Sequence, residues 1–415
     1  MTREKYQFRR AENENDRDTL EKFFNIVFHP EEVGTLARTF FDHLPGMKQE
    51  YWFIAGPAGS DKIASALALI PWTWQIEGIT LKGAEMGIVG TGEPHRKQGL
   101  QDKLNSSFDR VLREENFDIS FIQGIPGFYH NFGYNYALSF ENHINLPLHG
   151  IGTMTPSHRW RVRDAVEQDI PFLMKEDKIF STSFSITSLR REKDWKYIFS
   201  HSRKTEYGGE FRIIEDLEAN ELFYFKISPH GFGEGLIISE ISEGISAGAF
   251  AFLCSFCKEA ALERNKPWLR FDLSEDSRGG RLALAAGAVT EGRYGWQVRI
   301  PDPAAFLRKI SPLLEQRLGA SPYKTYSGTL LLDFYRSHLF LKFNEGRITG
   351  IDSDGSEPDL TFGINEDLFA PLCLGYRSWE ELQHCRPDIR PLTWQAGDLI
   401  NALFPKKPSW IHSRY

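Results

Sequence analysis

Apolar residues fall along this chain in two rhythms, and each change of rhythm marks an element. Residues 6–10 read as a short strand. Over 16–28 the apolar positions Leu20, Phe23, Phe24, Val27 and Phe28 recur three and four apart, one face of an amphipathic helix that His29 and Pro30 close. Segments 51–55, 63–75 and 79–91 alternate or run apolar between turn signals, which predicts three successive strands. From Gly99 onward Leu100, Leu104, Phe108, Val111 and Leu112 share one helical face, while Asp102, Lys103, Asn105, Asp109, Arg110 and Arg113 take the wet one. Asn116 stops that helix, and residues 118–123 read as a buried strand beside the one ending at Thr91.

After a polar stretch marked by Pro and Gly, a similar order begins again. Strand 160–163, helix 165–180, a hairpin of 210–216 with 222–227, strand 235–241, helix 246–264 and strand 268–273 follow. Beyond Pro301 the texture changes to one helix, three short strands at 329–333, 339–343 and 347–351, and helices near 366–374, 378–384 and 394–404. The pattern predicts a mixed α/β and α+β chain with domains over 1–149, 150–302 and 303–415.

The turn between Thr91 and Leu100 carries the first candidate chemistry. Arg96, Lys97 and Gly99 stand where a helix begins, so two cations, free backbone N–H groups and the positive end of the helix dipole converge. That is an anion site. No Gly-Lys-Ser/Thr follows, which argues against a nucleoside-triphosphate loop. A second motif, Gly244-Ile245-Ser246-Ala247-Gly248, matches the nucleophile elbow of serine hydrolases, with His338, His384 and His412 downstream. Ser246 is equally placed to cap the helix after it, and we favour that reading.

Composition narrows the choice. At 415 residues the chain exceeds one ordinary core, and 41% hydrophobic with 25% charged residues is a usual globular balance. A net charge of -7 argues against nucleic acid as principal partner. The first residues lack the apolar stretch of a secretory leader and no run of 18 apolar residues occurs, so a cytoplasmic protein without a membrane partner is expected. Cys254 and Cys257 form a Cys-x-x-Cys inside an apolar helical stretch, which suits packing better than zinc or redox work, and no metal is expected.

Two pieces of sequence carry a resemblance. Val89-Gly90-Thr91, then Arg96-Lys97-Gln98-Gly99-Leu100, with Phe128-Tyr129-His130-Asn131-Phe132-Gly133-Tyr134 downstream, resembles the acetyl-coenzyme A site of GNAT-type N-acetyltransferases. Gln101 stands where that family often has Gly or Ala. The three-part order resembles the enhanced-intracellular-survival (Eis) type, two GNAT-like regions before a sterol-carrier-protein-like module. The resemblance implies direct transfer of acetyl to a primary amine of an aminoglycoside, polyamine or lysine-like acceptor. It also implies coenzyme contacts from Val89, Gly90, Thr91, Arg96, Lys97, Gln98, Gly99, Leu100, Gln101, Gly124 and Ile125. Tyr129 would be the general acid and the Tyr415 α-carboxylate the base, in a homo-oligomer, trimer or hexamer. The competing reading is a non-catalytic protein that binds acyl-coenzyme A or a lipid. Trp410, Ile411 and Tyr415 further predict that the last residues are docked rather than frayed.

Overall fold

The computed structural model describes residues 5–153, 158–231, 233–355 and 357–415, and two sheets organise them. The first stretch runs β1 (Tyr6–Arg10), α1 (Glu14–Val27), α2 (Val33–His43), β2 (Trp52–Pro57), β3 (Ser65–Ile76), β4 (Ile79–Thr91), α3 (Leu100–Glu114), β5 (Ile119–Ile122) and β6 (Asn135–Pro147). The second runs β7 (Trp160–Asp164), α4 (Ile170–Ser181), β8 (Ile186–Ser188), α5 (Glu192–Ser200), β9 (Glu210–Asp216), β10 (Glu221–Ser228), β11 (Leu236–Ile241), α6 (Ala247–Glu263), β12 (Trp268–Asp272), α7 (Arg278–Ala285) and β13 (Val289–Arg299). The third holds α8 (Pro303–Gly319), β14 (Gly328–Asp333), β15 (His338–Asn344), β16 (Arg347–Asp352), β17 (Leu360–Gly363), α9 (Phe369–Cys373), α10 (Trp379–Cys385), β18 (Arg390–Pro391) and α11 (Trp394–Leu403).

One mixed sheet takes every strand through β13, in the order β1-β2-β3-β4-β5-β13-β6-β12-β11-β10-β9-β7, with β8 paired to β3. The late strand β13 lies between β5 and β6, antiparallel to both. A separate five-stranded sheet, β16-β15-β14-β17-β18, belongs to the third stretch. No helix among the described residues is long and apolar enough to cross a membrane.

Two elements that matter for the site escaped the hydrophobic pattern. β6 holds Glu141, Asn142, His143 and Asn145, a polar run that gives no strand signal; three of them find partners on other strands or their loops, Glu141 on Arg270 at 2.7 Å, Asn142 on the Leu273 carbonyl at 2.9 Å and Asn145 on Glu291 at 2.7 Å. β13 contains Gly292 and Gly295 and several charges, a poor strand by propensity. It becomes one because β5 and β6 present a ladder edge on either side of it. Elsewhere periodicity served well: Ser246 caps α6 by accepting from the Ala249 N–H at 3.1 Å. With that hydroxyl occupied as a cap and no described histidine bonded to it, the nucleophile reading loses its geometry. Cys254 and Cys257 are both buried in α6, and burial raises both thiols, as packing residues require.

The two faces of the sheet are covered separately. Ala84, Met86 and Ile122 pack with Leu104, Phe108 and Val111 of α3 on one face. Trp72, Trp74, Phe121 and Trp296 pack on the other, with Phe24 of α1 and Phe40 of α2.

Candidate active site

Strands β4 and β5 run parallel and pair only from Gly83 with Ile119 to Glu85 with Phe121. Past that point they part. On its other side β4 meets β3 through a bulge, Ala66 opposite Gly90 and Ala68 opposite Gly87, with Ile88 at φ +47. A bulge turns its strand, and here it falls where β4 loses its β5 partner. The result is a slot through the sheet, with α3 on one face and α1 and α2 on the other.

The helix end at the slot gathers unmet backbone donors and two cations. Gly99 precedes α3 at φ +67, a conformation that favours glycine, and Lys97 shares it at φ +58. No described residue accepts from the N–H groups of Lys97, Gln98, Gly99, Leu100 or Gln101, and the exposed Arg96 and Lys97 side chains have no ion-pair or hydrogen-bond partner among the described residues. Five unmet donors, two unpaired cations and a helix dipole suit a diphosphate. Gln101 does not obstruct it. Its side chain turns inward and donates to Ser65 Oγ at 2.8 Å and Thr91 Oγ1 at 3.2 Å, which ties the helix start to β3 and β4. Those bonds use the Thr91 hydroxyl, and the Gly90 carbonyl is used likewise, accepting from Ser65 at 3.0 Å. A side chain at Gly90 would press on Phe24 and Val27, so this glycine admits α1 close to the strand. Val89 sits in the bulge, at the slot edge.

At the end of β5 the Gly124 carbonyl accepts from Gln297 Nε2 at 2.8 Å and from the Tyr294 hydroxyl, both on β13. Ile125 next to it is 63% exposed. The Tyr129 ring lies against Gly124, where a β-carbon would collide with it. Burial raises the Tyr129 hydroxyl above its ordinary value, with Tyr134 and Tyr294 adding to the effect, and that hydroxyl has no hydrogen-bond partner among the described residues. It is a protonated donor without an acceptor, on the α3 face of the slot. Arg299 secures the loop from behind: Nη1 donates to the Phe132 carbonyl at 3.0 Å and to Asp109 of α3 at 3.1 Å.

The opposite face receives the last residues of the sequence. Trp410 N–H donates to the Ile186 carbonyl at 3.1 Å, Ser188 Oγ to the His412 carbonyl at 2.7 Å, and Arg414 to Asp194 at 2.8 Å. The tail is docked, as its apolar side chains predicted. The Tyr415 ring meets Phe40 and Trp72, and its hydroxyl donates to Glu85 Oε2 at 2.8 Å, where Trp72 Nε1 also donates at 2.9 Å. Glu85 is the functional candidate that sequence reasoning missed. It sits on β4 where the pairing with β5 ends, 3% exposed, and burial pushes its carboxyl up to about 7, against the pull of those two hydrogen bonds. A carboxylate within an apolar strand run, GAEMGIV, was the available signal.

Beside Tyr415 opens a cavity of about 350 Å³, lined among others by Gln123 after β5, Phe140, Lys226, Trp410 and His412. Tyr129 and Tyr415 thus flank the slot from opposite faces, with the cavity on the Tyr415 side.

Residues 8–137 match the family described as acetyltransferase (GNAT) domain, so the chain carries a GNAT-type N-acetyltransferase domain there. No curated protein matches the chain in sequence. Among solved structures it is similar over nearly its whole length to a probable N-acyltransferase from Enterococcus faecalis V583, at 14% identity, with 99% of either chain covered and a TM-score of 0.71. A GCN5-related N-acetyltransferase from Anabaena variabilis gives 16% identity, 98% of this chain and 99% of the other, and 0.66. Eis1 from Mycobacterium abscessus gives 12% identity, 97% and 98%, and 0.61. At such identities the likeness is one of fold.

Proposed function

We propose that this chain, with its N-acetyltransferase domain, moves an acetyl group from acetyl-coenzyme A to a primary amine, Tyr129 serving as acid and the Tyr415 α-carboxylate as base. The observation that carries the proposal is the slot after Glu85, with unmet N–H groups at α3 on one side and the docked tail on the other. Acetyl-coenzyme A fits the residues present. Its diphosphate suits the Lys97 to Gln101 amides and Arg96, and its extended arm suits the β4 edge left unpaired at Met86 to Val89. Bound there, it supplies an acetyl group activated as a thioester.

Tyr129 keeps its proton at neutral pH and gives it to the departing thiolate. The base takes the proton the amine sheds as the carbon–nitrogen bond forms and the carbon–sulfur bond breaks. A second reading moves the base to Glu85, because its pKa of about 7 suits a proton acceptor better than an ordinary carboxylate and the Tyr415 hydroxyl links it to the cavity side. The proposal extends to the Eis-type organisation, with residues 303–415 as a sterol-carrier-protein-like module, and to a homo-oligomer.

Calorimetry with acetyl-coenzyme A tests the core of it, and no binding at millimolar concentration overturns it. Tyr129→Phe is expected to lower kcat by about 10²- to 10⁴-fold with coenzyme affinity kept. Deleting Tyr415 and substituting Glu85→Gln separates the two bases. If the terminal carboxylate is the base, the deletion abolishes turnover while Glu85→Gln retains most of it. If Glu85 is the base, Glu85→Gln removes the rise of activity with pH centred near 7.

A further inference from the structure

Where β3 and β4 meet α3, four polar groups close on one another. Gln101 Nε2 stands 2.8 Å from Ser65 Oγ, 3.2 Å from Thr91 Oγ1 and 3.3 Å from the Gly90 carbonyl. That carbonyl can only accept, so the amide turns its nitrogen and not its oxygen to the strands. Ser65 Oγ lies 3.0 Å from the same carbonyl and 2.7 Å from Thr91 Oγ1. One assignment uses every proton: Ser65 donates to Gly90, Thr91 donates to Ser65, and the two amide N–H groups go to Ser65 and Thr91. Ser65 is fully buried, so these bonds run where water does not compete for them.

The network sits at a joint. Ser65 and Thr91 stand opposite each other across β3 and β4, and just beyond them the Gly92 N–H donates to the Ala64 carbonyl at 2.9 Å. Upstream on β4 lies the edge that β5 leaves unpaired, Met86 to Val89, which suits the coenzyme's extended arm. Downstream, past one turn, lie the amides of Lys97 to Gln101, which suit its diphosphate. The turn between them holds two left-handed residues, Lys97 at φ +58 and Gly99 at φ +67. Among the described residues no other side chain of the first helical turn, Leu100 to Lys103, hydrogen-bonds the sheet.

We propose that the Gln101 side chain positions the coenzyme site without touching the coenzyme: it sets the α3 amides at the distance from the β4 edge that lets one molecule use both. Its backbone N–H stays with the other free amides while its side chain faces the strands. The gain therefore belongs only to ligands that carry both the arm and the diphosphate. The inference rests on the acetyl-transfer reading and goes beyond it by giving this side chain a role of its own.

The test compares acetyl-coenzyme A with S-acetylpantetheine, which keeps the arm and the thioester but lacks the diphosphate. Binding of each is measured by calorimetry, with displacement for the weaker ligand, on wild type, Gln101→Ala, Ser65→Ala and the double variant. Gln101→Ala should weaken acetyl-coenzyme A about 3- to 30-fold, the worth of one or two hydrogen bonds, and leave S-acetylpantetheine unchanged. In the Ser65→Ala background the same substitution should cost less, because the network is already broken. Equal losses for the two ligands overturn the proposal, since a loosened helix or a direct contact with the arm affects both alike. Strict additivity of the two substitutions overturns it as well, by placing the effect of Gln101 outside the network. Gln101→Met, which keeps the bulk and drops the donors, serves in place of an alanine variant that fails to fold. Wild-type calorimetry separates the readings. No binding of acetyl-coenzyme A sinks the acetyl-transfer reading, and binding that Gln101→Ala leaves intact sinks this inference alone.

Discussion

Glu85 shows what one buried carboxylate does to the chain that holds it. Its carboxyl moves from 4.5 to about 7, mainly through burial, so between those values the folded protein keeps a proton that the unfolded chain has released. Stability therefore falls as pH rises through that window and levels off above about 7. Glu85→Gln, which keeps an oxygen for the Trp72 and Tyr415 donors, removes this slope. The variant's melting temperature relative to wild type should climb between about pH 4.5 and 7. Equal differences at pH 5 and pH 8 would show that Glu85 is not the group responsible.

Strand β13 does for the site what no residue of the first stretch could do alone. Three of its side chains, Tyr294, Gln297 and Arg299, hold the Gly124 and Phe132 carbonyls, the two ends of the loop that presents Tyr129. Arg299 also binds Asp109, so the loop that carries Tyr129 is tied to α3. Arg299→Met should loosen the loop more than the fold. We expect kcat to fall about 10- to 100-fold, the cost of displacing a reacting group by about an ångström, with coenzyme affinity nearly unchanged. Faster amide exchange over residues 124–134 would accompany it, and unchanged exchange would count against the anchoring role.

The second stretch and the tail are joined by a buried ion network. Arg190, with no side-chain exposure, donates to Asp177 at 2.6 Å and to both Glu240 oxygens, and reaches the Ser413 carbonyl at 3.3 Å. Burial would push Glu240 up, but Arg190 prevails and holds it down to about 2. Arg190→Met strips the guanidinium from two buried carboxylates and leaves Glu240 only the Lys226 ammonium at 3.5 Å, at a cost of about 3–5 kcal/mol. Chemical denaturation should register that loss, and limited proteolysis should find residues 405–415 newly accessible. A tail that stays protected would mean that Trp410 and Arg414 suffice to hold it.

A neighbouring cluster, Glu141, His143 and Asp272, brings three ligand-type side chains together, yet Arg270 donates to both carboxylates at 2.7 Å and supplies the charge a cation would bring. It serves the join between β6 and β12.

Local pattern by itself determined most helices, the strands leading to Thr91, the turn and helix start at Arg96 to Leu100 and the docked apolar tail. In each, the residues that define the feature are sequence neighbours or repeat at a fixed spacing. Only the tertiary structure decided that β6 and β13 are strands, because their polar side chains are paid for by partners more than a hundred residues away, such as Leu273 for Asn142 and Gly124 for Gln297. It also decided that Gln101 turns inward and that Glu85 meets Tyr415. A carboxylate's pKa and an amide's direction depend on what surrounds them, and those surroundings come from three separate parts of the chain.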